Sequence, residues 1–135
     1  MKYIIRTQFH FASSHRLVGH KGKCRMCHGH LWNVKLTITG EKLNNIGILW
    51  DFGNRKKLEE YFDHKTILKI CKENEPLIKT IKQTCGKDSV VLMHDNPTAE
   101  HLANWILSFL KIDNPEMKFV VEVFESPNNS VEVRG

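Results

Sequence analysis

The sequence predicts an α+β domain with helices on one face of an antiparallel sheet, and three observations carry that prediction. Apolar and polar side chains alternate near the N-terminus, helical spacing dominates the middle, and alternation returns near the C-terminus. Strands followed by helices followed by strands is the order of an α+β fold rather than of repeated βαβ units.

Residues 2 to 11 read as the first strand, with Tyr3, Ile5, Thr7, Phe9 and Phe11 on one face. A second strand runs from about His30 to Thr39, with Trp32, Val34, Leu36 and Ile38 on its apolar side. Gly40 and the stretch Asn44-Asn45-Ile46-Gly47 are turn signals, and Ile48 to Phe52 is read as an extension of the sheet. Asn54 is placed as the cap of a helix in which Leu58, Tyr61 and Phe62 fit helical spacing. Between residues 66 and 93 the apolar positions Leu68, Leu77, Ile78 and Ile81 suggest interrupted helix, broken or restarted at Pro76. Asn96-Pro97 reads as a helix start, with a capping residue and proline at the first helical position. Leu102, Trp105, Ile106 and Phe109 form the buried stripe of that helix. Phe119, Val121 and Val123 alternate in a third main strand, Ser130 to Arg134 supply a fourth, and Asn128-Asn129 marks the hairpin between them.

At 135 residues the chain is the length of one domain, and without repeats or linkers residues 1–135 are read as undivided. Hydrophobic residues at 41% and charged residues at 26% are near globular averages, so disorder is not indicated. No apolar run approaches the ~18 residues of a membrane span, and the first residues lack the pattern of a signal peptide. A cytoplasmic protein is therefore expected, without membrane contact. The net charge of +5 suits a polyphosphate-bearing small molecule, a nucleic acid or a merely solvated basic surface. The lysines are scattered without the arginine and aromatic interleaving of an RNA-binding surface, so no nucleic-acid partner is expected. Cys71 and Cys85 lie in a Lys-rich stretch and read as structural or incidental.

The chemistry is concentrated in the histidines. His28-Gly29-His30 puts two imidazoles on one face of an extended segment, in phase with Trp32, Val34 and Leu36, and Gly29 is read as leaving room for another group. His15 follows the first strand and, if the strands pair antiparallel, lies at the same end of the sheet. Three neutral imidazoles with an open fourth position are the arrangement of a catalytic Zn²⁺ site, since structural zinc usually takes four protein ligands. Buried, hydrogen-bonded histidines are the plain alternative. Cys24-Arg25-Met26-Cys27-His28 also matches the C-x-x-C-H haem-attachment pattern, but that reading requires export and leaves His15 and His30 without a role. A zinc ribbon would need a second C-x-x-C, which is absent.

Five segments in order, Phe11-Ala12-Ser13-Ser14-His15, Cys24-x-x-x-His28-Gly29-His30, Asp63-His64, Asn96-Pro97-Thr98-Ala99-Glu100 and Glu125, resemble the 6-pyruvoyltetrahydropterin synthase superfamily over nearly the whole chain. The three residues between Cys24 and His28 match the branch that makes 6-carboxytetrahydropterin for queuosine biosynthesis; Cys27 and the long stretch between His64 and Asn96 depart from its pattern. The resemblance implies the tunnelling fold, a four-stranded antiparallel sheet with two main helices on one face. It implies a homo-oligomer, trimer or hexamer, with active sites between subunits. It implies His15, His28 and His30 as Zn²⁺ ligands, Cys24 as the catalytic base with Asp63 and His64 as partners, Glu125 as the pterin anchor, and Thr98 among the substrate-binding residues. The implied substrate is 7,8-dihydroneopterin triphosphate.

Those roles make physical sense. Removing a proton from a carbon that bears a hydroxyl calls for a Lewis acid at the oxygen and a base within hydrogen-bond reach. Lys21, Lys23 and Arg25 surround Cys24 in sequence and favour its thiolate. Glu125 continues the inward phase of Phe119, Val121 and Val123, where a carboxylate needs donors such as a pterin presents. Solvent-facing readings exist for both acidic positions: a polar helix end for Asp63-His64, and a strand-end glutamate for Glu125. Two rival functions follow, a pyruvoyl-forming enzyme on the same substrate and a non-catalytic metal- or RNA-binding module.

Overall fold

The structure, a computed structural model, describes residues Met1–Gly135. Six strands form one sheet: β1 (Tyr3–His15), β2 (His28–Gly40), β3 (Lys65–Lys69), β4 (Val90–Met93), β5 (Lys118–Ser126) and β6 (Asn129–Arg134), in the spatial order β4-β3-β1-β2-β5-β6. The helices are α1 (Arg55–Phe62), α2 (Glu75–Cys85) and α3 (Ala99–Asp113). The α+β class is as expected, but the sheet is not a four-stranded antiparallel one. β1, β2, β5 and β6 pair antiparallel, whereas β3 lies parallel to β1 and β4 parallel to β3.

β1 and β2 pair without interruption from Tyr3↔Gly40 to His15↔His28. Their shared register stacks Phe9, Phe11, Trp32, Val34, Leu36 and Ile38 on one face, all buried, with Phe119, Val121 and Val123 of β5 beside them. Leu58 and Phe62 of α1 and Leu102, Ala103, Ile106 and Leu110 of α3 close this core. The α3 stripe is thus narrower in large side chains than its spacing suggested: Trp105 is only partly buried and Phe109 is 37% exposed. The three aromatic rings Tyr61, Trp105 and Phe109 instead stack in series along the rim.

The segment 66–93 is β3, α2 and β4, not interrupted helix. Ile67 and Leu68 are wholly buried strand residues, and Pro76 sits in the first turn of α2, where its missing N–H costs nothing. α2 does not join α1 and α3 on their face. Its Ile81 and Cys85 line a cleft with Ala12, Ser14 and Leu31, side chains of the opposite sheet face. Ile48 to Phe52 is not strand either; Trp50 plugs into the core and the Asp51 carboxylate accepts from Gly53 N–H at 2.8 Å. Asn54 precedes α1 without a capping bond. The β5–β6 turn falls at Pro127-Asn128, since Asn129 already pairs with Ser126. No helix is long and apolar enough to cross a membrane.

Candidate metal centre and active site

His15 ends β1 and His28 begins β2, directly opposite each other, and Ser13↔His30 is the next same-face pair. The hairpin register therefore delivers three imidazoles to one end of the core face, with ring centroids 4.6 to 5.1 Å apart. Trp32, beneath them, packs edge-on against the rings of His15 and His30. Its indole N–H donates to Ser13 O at 3.3 Å, and the Ser13 hydroxyl donates to Phe62 O. Ligand atoms of His15, His28, His30 and Glu125 lie within 4.8 Å of one another, and no cysteine sulfur belongs to the set.

Hydrogen bonds decide which ring nitrogens are free. His15 Nδ1 is 2.7 Å from Pro97 O and His28 Nδ1 is 2.7 Å from Met26 O. A carbonyl can only accept, so each Nδ1 carries the proton and, in the neutral ring, each Nε2 presents a lone pair. These two Nε2 atoms face each other at 3.0 Å. Two lone pairs at that distance need a cation between them. Burial, the largest influence on His15, pulls its pKa below the ordinary value of 6.5 and disfavours a proton on that ring; the same holds for His30. His30 Nε2 approaches Glu125 Oε1 to 3.0 Å without hydrogen-bond alignment, leaving this buried nitrogen with no hydrogen-bond partner. The donor set, neutral imidazoles and a carboxylate, suits a divalent metal ion. The second-layer carbonyls that orient His15 and His28 are the kind that metal-binding histidines use.

The other expected residues surround this centre unequally. Cys24 is half-buried in a single 3-10 turn, Lys23–Arg25, tied to the β1 exit by Leu17 N–H to Cys24 O at 2.9 Å and by Arg16 Nε–H to Arg25 O at 3.0 Å. Cys27 is exposed, and all four cysteines are free. Asp63 and His64 do touch: Asp63 Oδ2 is 2.8 Å from His64 Nδ1. Asp63 Oδ1 also accepts from Ala12 N–H at 2.9 Å, and His64 N–H donates to Ala12 O at 2.7 Å. The pair thus satisfies both edge groups of Ala12 where β3 begins. His64 pays for this with φ 59°, the chain's one non-glycine residue in the left-handed region. The Ala12 N–H, then the His64 contact, hold the Asp63 carboxyl below its usual range. The His64 side chain is 84% exposed and borders a cleft lined also by Ala12, Ser14, His30 and Leu31.

Thr98, not Asn96, is the N-cap of α3, its hydroxyl accepting from His101 N–H at 3.2 Å. Asn96 reaches instead to Val18, accepting from its N–H at 3.0 Å and donating to its carbonyl at 2.8 Å. No local signal announces that contact across the chain. Within the chain nothing crowds Gly29: a Cβ there would meet only Ser13 O, at 3.8 Å.

A family model for 6-pyruvoyl tetrahydropterin synthase matches residues 4–135. The chain belongs to this family. Among relatives of this pterin synthase family member, the protein named 6-carboxy-5,6,7,8-tetrahydropterin synthase from Rickettsia typhi is 34% identical over 132 residues, covering 91% of this chain and 94% of its own. The protein of that name from Rickettsia bellii is 35% identical with the same coverage. Among solved structures, an uncharacterised protein of Wolinella succinogenes superposes with a TM-score of 0.76 at 22% identity, covering 98% of each chain. 6-Pyruvoyl tetrahydropterin synthase from Plasmodium vivax gives 0.70 at 20% identity, covering 100% of this chain and 98% of its own. These two likenesses concern the fold.

Proposed function

We propose that this protein is a zinc-dependent lyase that converts 7,8-dihydroneopterin triphosphate and one water to 6-carboxy-5,6,7,8-tetrahydropterin, triphosphate and acetaldehyde, in queuosine (7-deazapurine) biosynthesis. The observation that carries the reading is the pair of opposed imidazole lone pairs beside a third, unpartnered imidazole nitrogen. The names of the Rickettsia relatives support the choice of product. On this reading residues 1–135 act as one cytoplasmic, homo-oligomeric pterin-synthase domain.

His15, His28 and His30 would hold the zinc ion, which when bound would supply Lewis-acid polarisation at the substrate's side chain. Cys24, on the turn beside the ligand strand, takes the proton from the hydroxyl-bearing carbon as thiolate. Asp63 fixes the ring of His64 through Nδ1, which leaves Nε2 to move a proton toward the departing phosphates. With active sites between subunits, as the resemblance implies, the exposed His64 would be free to serve the centre of a neighbouring subunit. Glu125 accepts the parallel N–H donors of the pterin ring, and Thr98, whose hydroxyl oxygen caps α3, still has an O–H to donate to substrate.

The deciding experiment incubates zinc-loaded protein with 7,8-dihydroneopterin triphosphate and identifies the products. Acetaldehyde with a 6-carboxy pterin is expected. A pyruvoyl pterin without acetaldehyde would assign the sister activity, and no turnover with salt-dependent RNA binding would remove the enzymatic reading.

A further inference from the structure

Glu125 occupies a position that pterin anchoring alone does not explain. The β2–β5 ladder ends at Asn33↔Phe124, and the β5–β6 register shifts between Phe124 and Ser126, so Glu125 sits at a β-bulge. Bulges re-aim side chains next to active sites. Here the carboxylate is carried onto the imidazoles: Oε1 comes to 3.0 Å from His30 Nε2, and the carboxylate shares the 4.8 Å cluster with His15 and His28. The facing nitrogen of His30 is buried and has no hydrogen-bond partner. A carboxylate beside three nitrogen donors completes the four ligands that a tetrahedral divalent ion takes. At the same time 34% of the Glu125 side chain is exposed, so it has room to turn outward.

We propose that Glu125 is a switching ligand: it closes the fourth position of the metal while substrate is absent and leaves it when a pterin offers its N–H donors. The pterin half of this inference rests on the proposed function; the resting-state half does not. Closure by Glu125 keeps water off the ion until substrate arrives, and it makes pterin and metal compete for one carboxylate. By linkage, a pterin that cannot itself ligate the ion weakens metal binding by the same factor as the metal weakens pterin binding.

The test uses Co²⁺ as a spectroscopic probe in metal-free full-length protein, titrated against a chelator, with wild type, E125Q and the site-loss control H28A. Circular dichroism melting establishes that E125Q is folded. E125Q is expected to bind Co²⁺ about tenfold or more weakly, at least the loss seen on removing an outer-shell partner, and to show an altered visible band. Unsubstituted pterin, which lacks the side-chain hydroxyls, is expected to shift the wild-type band toward that of E125Q. Equal Co²⁺ affinity and an unchanged band in folded E125Q would overturn the proposal, even if pterin binds and turnover proceeds. A changed affinity and band without any pterin response would uphold the resting-state ligand while overturning the switch, and with it the pterin anchor of the proposed function.

Discussion

Replacing Asn96 by alanine isolates what holds Cys24 in place. The Asn96 amide makes paired hydrogen bonds to Val18, at 3.0 and 2.8 Å, and these pin the loop that leaves β1 and carries the Cys24 turn. Each part-buried bond is worth about 1 kcal/mol net, so the substitution is expected to cost about 2 kcal/mol. For 135 residues the melting entropy is on the order of 0.28 kcal/mol/K, which makes that a fall of about 7 °C in Tm. Asn96→Asp keeps the acceptor for Val18 N–H but points a carboxylate oxygen at Val18 O, so it should be no more stable than alanine. Zinc stoichiometry should hold in both variants, because Pro97 O, the partner of His15 Nδ1, is a backbone group. Turnover should fall, since the loop that carries Cys24 loses its Asn96 anchor and is left with the Leu17 N–H to Cys24 O and Arg16 Nε–H to Arg25 O bonds. The assay is denaturant unfolding at fixed protein and metal concentration, run beside product formation. A change within the ~0.5 kcal/mol typical of neutral surface substitutions would refute the anchoring. A full loss of stability with wild-type turnover would refute its link to Cys24.

Further outcomes follow from the same geometry. Cys24→Ala should abolish turnover with zinc retained, whereas Cys27→Ala should keep most activity; the reverse pattern, read by metal analysis and product formation, would move the base to Cys27. The depressed pKa values of His15 and His30 set the acid sensitivity. The folded protein binds fewer protons at these sites than the unfolded chain, so their stabilisation is complete above pH ~6.5 and declines as pH falls below it. Urea midpoints of metal-free protein should therefore drop between about pH 6.5 and 5, and a flat or rising profile would contradict the burial of neutral imidazoles. The Asp63 carboxyl, also depressed, adds a separate loss only below its ordinary value of 3.8.

How far the fold could be read from residues differs by element. β1, β2, β5 and β6 have one face covered and one less so, and that asymmetry writes a period of two into Phe9-Phe11 and Trp32-Val34-Leu36-Ile38. β3 and β4 are short parallel strands whose apolar runs, Ile67-Leu68 and Val90-Val91-Leu92-Met93, carry no alternation that distinguishes strand from buried helix. The start of α3 was misplaced because Asn96 spends its capping chemistry on Val18. The imidazole triad was legible because one hairpin makes it, within a short span of sequence. The approach of Glu125 was legible only in phase; its aim depends on a bulge that no local residue pattern marks.

The unbroken β1–β2 register has a consequence for the quality of the folded population. Thirteen residues on each strand pair without a bulge, so nothing in the ladder itself arrests a slide. A slip of one residue would turn the whole apolar series of one strand outward. It would also place His15 on the opposite side of the hairpin from His28 and His30, and no divalent ion could bridge them. A metal bound at this cluster would thus act as a proofreading device for strand alignment: only a correctly paired hairpin would retain the ion, and the ion in turn would penalise every misaligned competitor by the free energy of its own binding.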